Sequence, residues 1–156
     1  MNPSNATPPT VDADLVRGPL RILYREIDAE IARLAPVCVL SGRCCRFREH
    51  DHTLFITSAE AAVLIADAPA PTRPLDHGAT CPWQDDAGRC TAREARPVGC
   101  RVYFCDPGHE DDAARLSAEA LARIETLGSP RGYAPLHRHL EAAAADGRLA
   151  DAGPRA

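Results

Sequence analysis

The feature that most constrains this chain is a set of seven cysteines confined to its central part. The set comprises Cys38, Cys44, Cys45, Cys81, Cys90, Cys100 and Cys105. Reduced thiols bind soft metal ions and iron–sulfur clusters, whereas oxidised thiols form disulfides, so the compartment decides which chemistry applies. An odd number of cysteines argues against a complete disulfide framework, because at least one thiol would be left over.

The remaining composition favours a reducing compartment. The first ten residues are polar and rich in proline and asparagine, without the apolar stretch of a secretory leader, and the sequence contains no apolar run of membrane-spanning length. We therefore expect a cytoplasmic protein with no membrane partner. In that setting, clustered cysteines indicate metal binding or redox chemistry.

The length of 156 residues predicts one compact domain. We expect a disordered tail over 1–13, a single cysteine-cluster domain over 14–147 with its metal-binding core at 38–107, and a flexible tail over 148–156. The expected fold class is a mainly helical α+β domain, in which helices flank a loop-dominated centre.

Local patterns predict where the elements lie. Thr57 and Glu60 match a capping box, Pro19 fits the first turn of a helix, and Gly128 is predicted as a helix C-cap. Hydrophobic spacing predicts helices over 19–34, from 57 to about 66, over 112–127 and over 135–145. A short strand is predicted over 53–56 and a helical turn over 92–96. Turn residues predict a loop over 67–80 and a hairpin over 81–91. Few apolar residues lie within the cysteine window, so we expect a metal to hold its shape.

The cysteine spacing leaves the ligand set open. Four thiolates complete a tetrahedral zinc site or an iron–sulfur cluster, so seven cysteines suffice for one site with three to spare. The spacing contains no C-x2-C pair and differs from both common ferredoxin patterns. Because Cys44 and Cys45 are adjacent, we expect their sulfur atoms to serve different irons or different metals, or one to be a ligand and the other a buried thiol.

Arginines surround the cysteines in the sequence. Those at 43, 46, 48, 89, 93, 96 and 101 would stabilise the negative charge of bound thiolates, although ordinary surface arginines are an equal alternative. The net charge of −4 and the acidic residues that follow position 105 argue against a nucleic-acid partner. A histidine and carboxylate iron site that uses His50, His52 or His109 with Asp106 is a further alternative.

The order of several short blocks resembles the YkgJ-type CxxCxxCC family of zinc- or iron-chelating proteins. These blocks are 38–45 (CVLSGRCC), 56–61 (ITSAEA), 81–83 (CPW), 88–90 (GRC), 96–101 (RPVGCR) and 104–105 (FC). Ser41 departs from the pattern, because the family has its second cysteine at that position. The resemblance implies a metal site, often described as an iron–sulfur cluster, and implies no particular reaction.

Three functions remain open. The first is a metal-binding protein whose cysteines hold an iron–sulfur cluster for electron transfer, sensing or an oxidoreductive reaction, together with a redox or protein partner. The second is a structural zinc module that shapes a protein-interaction surface. The third is an enzyme that uses mononuclear iron or a reactive cysteine, with Cys44 or Cys45 as the nucleophile. Common hydrolase, P-loop and zinc-protease motifs are absent from the sequence.

Overall fold

The computed structural model describes residues 6–37, 42–104 and 106–150. It shows a small α+β domain that consists mainly of helices. In chain order the elements are α1 (Ala13–Leu34), β1 (Phe55–Ile56), α2 (Ser58–Asp67), α3 (Val98–Arg101), α4 (Glu110–Glu125), β2 (Ala134–Pro135) and α5 (Leu136–Ala145), with 3-10 turns at Arg43–Cys45, Arg93–Ala95 and Pro107–His109. The predicted fold class is confirmed. Within the described residues, no helix combines the length and apolarity needed to cross a membrane.

Helix α1 begins six residues before its predicted start. Asp12 caps the helix by accepting a hydrogen bond from the Asp14 backbone N–H at 3.0 Å. Pro19 therefore lies inside the helix and not in its first turn. The ring leaves the Leu15 carbonyl without its helical N–H donor, and the 75% exposure of Leu15 allows water to replace it. The predicted end at Leu34 is confirmed, with Ala35 in the left-handed conformation as the C-cap.

Helix α2 begins with the predicted capping box. The Glu60 backbone N–H donates to Thr57 Oγ1 at 3.2 Å, and the Thr57 N–H donates to Glu60 Oε2 at 2.8 Å. The other carboxylate oxygen of Glu60 accepts from the Val98 N–H at 2.9 Å, so this buried side chain also anchors the start of α3. Burial raises the pKa of Glu60, opposed by these hydrogen bonds.

The remaining predictions are confirmed in outline, with changed boundaries. The strand is limited to β1, which pairs antiparallel with β2 by placing Phe55 opposite Pro135. The 81–91 hairpin is reduced to a single antiparallel bridge between Gln84 and Cys90. Helix α4 starts at Glu110, and its C-cap is Thr126; Gly128, predicted for that role, lies two residues later. Helix α3 was not predicted, because four residues after a proline show too short a pattern.

Two groups of buried side chains form the interior, and α2 separates them. The helical core lies between α1, α2, α3 and α4 and includes Leu20, Tyr24, Val63, Leu116 and Ile124. The cysteine-side core includes Cys45, Phe47, Ile56, Cys81, Trp83, Leu136 and Leu140. The large apolar side chains of the cysteine window, few as they are, pack together with α2, which lies inside the window, and with α5, which lies outside it. Apolar packing therefore contributes to the shape of the window.

Candidate metal centre

Three separate segments bring together the five cysteines that the structure describes. Cys44 and Cys45 lie on the 3-10 turn, Cys81 and Cys90 lie on the two arms of the hairpin, and Cys100 lies in α3. All five belong to, or pack against, the cysteine-side core, and all five are free thiols. Cys38 and Cys105, also predicted as ligands, lie outside the described residues, as does Ser41.

Backbone contacts fix the 3-10 turn against the hairpin. The Cys81 N–H donates to the Cys45 carbonyl at 2.7 Å. The buried side-chain amide of Gln84 donates to the carbonyls of Gly42 and Gly88, at 3.2 and 3.1 Å. Gly42 adopts a φ of 72°, which places it in the left-handed region just before the turn. The sequence between residues 42 and 90 is thereby folded back so that its cysteines meet.

Cys45 is at the centre of the thiol contacts. Its sulfur lies 4.0 Å from that of Cys44, and its side chain also forms hydrogen bonds with Cys81 and Cys90. The 3-10 turn brings the sulfurs of the adjacent Cys44 and Cys45 into contact. The expectation that they serve different irons, different metals, or as one ligand and one buried thiol stays a prediction. Four sulfurs bound to one zinc ion at about 2.3 Å would be about 3.8 Å apart. The observed separation is close to that value.

The thiols of Cys44, Cys45, Cys90 and Cys100 differ in their pKa values. Hydrogen bonding with Cys45 lowers the pKa of Cys44 to about 7 and that of Cys90 to about 6, and the charge of Arg96 lowers both further. The same contacts raise the pKa of Cys45. Desolvation and the neighbouring thiols raise the pKa of Cys100. The cluster therefore contains two thiols that ionise near neutral pH and two that hold their protons.

Arg101 does not belong to the positive charge around the thiols, contrary to expectation. Its buried guanidinium donates to Asp28 Oδ2, to the Glu94 carbonyl and to the Arg96 carbonyl, each at 2.7 Å. It also lies 4.2 Å from the centre of the Tyr24 ring. Arg101 therefore joins the segment between Cys90 and Cys100 to α1, whereas the charge of Arg96, and near Cys90 also that of Arg93, acts on the sulfurs.

The chemistry of the donor set fits a soft metal. A buried thiol in contact with three others, two of which ionise readily, provides the sulfur ligands that zinc and iron–sulfur clusters require. Among the described residues, however, no group of three or more His, Cys, Asp or Glu side chains is arranged so that it could hold a metal ion. The metal and its ligand set therefore remain predictions.

The histidines named in the sequence lie in other surroundings. His109 Nδ1 is 2.9 Å from Asp112 Oδ2, and its Nε2 is 3.7 Å from Asp106 Oδ2. The ring of His52 lies between those of Phe47 and Tyr103, at 5.6 and 5.1 Å. Asp106, the carboxylate that was predicted to act together with His109, thus lies beside it.

The sequence did not indicate three residues that support the cluster. Gln84 joins the turn to the hairpin, Arg101 secures α3, and Tyr24 lies under Arg101. Glu60 was recognised only as half of a capping box, and its bond to Val98 was not foreseen. The contacts of these side chains span large separations in sequence, which local patterns do not report.

Comparison with protein-family models gives no match, and neither the curated proteins nor the solved structures show a significant match to this chain.

Proposed function

We propose that this protein is a metal-binding cysteine-cluster protein whose thiolates hold an iron–sulfur cluster. The observation that supports the proposal is the convergence of Cys44, Cys45, Cys81, Cys90 and Cys100 from three separate segments. Ionised thiols repel one another, so a bound cation would stabilise the thiolate form of this group. The order of the cysteine blocks leads us to propose further that the chain is a divergent relative of the CxxCxxCC proteins.

A bound cluster would supply one-electron redox chemistry, and the chain would supply its surroundings. Arg96 offsets the negative charge of the sulfurs, and the apolar side chains around Cys45 and Trp83 exclude water. We place the protein in the reducing cytoplasm, with electron transfer, sensing or an oxidoreductive reaction as its role and a redox protein as its partner.

A structural zinc site is the second candidate. The 4.0 Å separation of the Cys44 and Cys45 sulfurs favours it, since this distance suits two ligands of one tetrahedral ion. A zinc ion would tie the 3-10 turn to the hairpin and would shape a surface for another protein.

Metal analysis of anaerobically purified protein separates the candidates. Brown protein that contains iron and acid-labile sulfide supports the cluster. Colourless protein with stoichiometric zinc supports the structural site, and iron without sulfide supports a mononuclear centre. Folded protein that contains neither metal, after preparation without oxygen, would refute the proposal.

Single substitutions test which thiols are ligands. We expect Cys45→Ser, Cys81→Ser, Cys90→Ser and Cys100→Ser each to lower the bound metal by at least about tenfold at limiting metal concentration. Ser41→Ala, at the motif position that lacks a cysteine, is the matched control and should retain the metal. Far-UV circular dichroism confirms that each variant folds. Equal metal content in all five variants would exclude these cysteines as ligands.

A further inference from the structure

A cavity of about 320 Å³ is lined by residues of α1, α2, α3 and the 3-10 turn at Arg93–Ala95. Its volume falls within the range of about 300–1,000 Å³ that is typical of small-molecule sites in proteins. The buried residues Tyr24, Val63 and Ala95 provide an apolar part of its wall. No described cysteine lines this cavity, so it is separate from the candidate metal centre.

The charges around the cavity balance in number, but not all of them are paired. Three arginines and three acidic residues line it. Four of these six form ion pairs, Arg21 with Asp67 and Arg101 with Asp28. The other two are exposed, and neither the Arg25 guanidinium nor the Glu94 carboxylate has an ion pair or a hydrogen bond with a described residue. The cavity therefore presents one unpaired group of each sign.

Arg101 adds unused hydrogen-bond donors to the wall. Its side chain is 3% exposed, and a guanidinium has five N–H groups. Three of them donate, to Asp28 Oδ2 and to the carbonyls of Glu94 and Arg96. The other two have no acceptor among the residues that the structure describes. Because a buried donor without an acceptor costs free energy, a ligand oxygen that accepts from Arg101 would bind favourably.

We propose that this cavity binds a free α-amino acid with an apolar side chain. The carboxylate of the ligand would accept hydrogen bonds from Arg101 and Arg25, and its ammonium group would donate to the Glu94 carboxylate. Its side chain would contact Val63 and Ala95. A purely anionic ligand would leave Glu94 unpaired and a purely cationic one would leave Arg25 unpaired, whereas a zwitterion satisfies both. This proposal does not depend on a bound metal.

Isothermal titration calorimetry of the full-length protein with L-leucine tests the proposal. We expect saturable binding with a dissociation constant below about 1 mM. Two analogues each lack one charge of the probe: 4-methylpentanoate has no ammonium group, and 3-methylbutylamine has no carboxylate. Each should bind at least about tenfold more weakly than L-leucine, because each loses the charge-assisted hydrogen bonds of one end. An analogue that binds as tightly as L-leucine would overturn the proposal, as would absence of saturable L-leucine binding.

Substitutions locate the site on the protein. Arg25→Gln and Glu94→Gln each remove the charge of an exposed, unpaired side chain, so both variants should keep the wild-type far-UV circular dichroism. Each should weaken L-leucine binding at least about tenfold. Arg33→Gln is the matched control and should bind normally, because Arg33 is an exposed arginine of the same helix that does not line the cavity. Wild-type affinity in both cavity variants would overturn the proposal.

Discussion

At the scale of single residues, the thiol contacts make the cysteines chemically unequal. The pKa values of Cys90 and Cys44 are lowered to about 6 and 7, chiefly by hydrogen bonding with Cys45. We therefore predict that iodoacetamide labels these two before Cys45 and Cys100 in the metal-free, reduced protein. Their labelling rates should rise with pH around those values, since only the thiolate reacts, while Cys45 and Cys100 react slowly. Peptide mass spectrometry after short pulses between pH 5 and 9 measures the order.

The substitution Cys45→Ala identifies the cause of this reactivity. Without these hydrogen bonds, the pKa values of Cys44 and Cys90 should rise, and labelling of both should move to higher pH. For each unit of increase, the thiolate fraction well below the pKa falls about tenfold. Cys81→Ala is the matched control, because it removes another thiol that is hydrogen-bonded to Cys45 and leaves the contacts of Cys45 with Cys90 and Cys44 in place. Unchanged labelling profiles in Cys45→Ala would contradict this explanation.

At the scale of elements, Gly42 decides whether the 3-10 turn can lie against the hairpin. A Cβ atom at this position would be 2.7 Å from the Gly88 carbonyl oxygen and 2.7 Å from Gln84 Nε2. We predict that Gly42→Ala lowers the free energy of unfolding by about 3 kcal/mol, from the positive φ together with the clash. It should also reduce metal binding, because the turn carries Cys44 and Cys45. Urea unfolding of the metal-free protein measures the first effect.

Gly128→Ala is the control that separates the steric clash at Gly42 from the free-energy cost of a positive φ. Gly128 has a φ of 76°, close to the 72° of Gly42, but no atom lies within 4 Å of its added Cβ. Only the cost of the positive φ remains, so we expect Gly128→Ala to lower the free energy of unfolding by about 1 kcal/mol and to leave metal binding normal. If both variants lost the same free energy of unfolding, the close contact of Gly42 with Gly88 and Gln84 of the hairpin would not contribute to stability.

The same elements show what the sequence could predict. The capping box at Thr57, the end of α1 at Leu34 and the turn at Asp85 depend on neighbouring residues, and local patterns identified them. The start of α1 was predicted wrongly because Pro19 was interpreted as a first-turn residue, whereas the helix begins after its N-cap, Asp12. The meeting of Cys45 with Cys81 and the clamp of Arg101 on Asp28 join residues far apart in the chain. Clustered cysteines indicated that such a meeting would occur, but no local pattern specified which thiols would touch.

At the scale of the whole molecule, the two cores should respond differently to loss of a metal. The helical core is formed by α1 to α4 and contains none of the described cysteines. The cysteine-side core contains Cys45 and Cys81 together with Trp83, the only tryptophan of the chain, which is 1% exposed. The emission of this tryptophan therefore reports on the cysteine side alone.

We predict that a chelator exposes Trp83 while most of the helical structure persists. Ionised thiols without a cation repel one another, which loosens the 3-10 turn and the hairpin, whereas the packing of α1 against α4 has no such dependence. Tryptophan emission should shift to the red and far-UV circular dichroism should change little. Hydrogen exchange should accelerate over 42–46 and 81–92 more than in α1. Because Phe47, Leu136 and Leu140 also hold the cysteine-side core, this loosening should stop short of global unfolding. Equal protection of both regions in metal-free and metal-bound protein would show that apolar packing alone maintains the cluster.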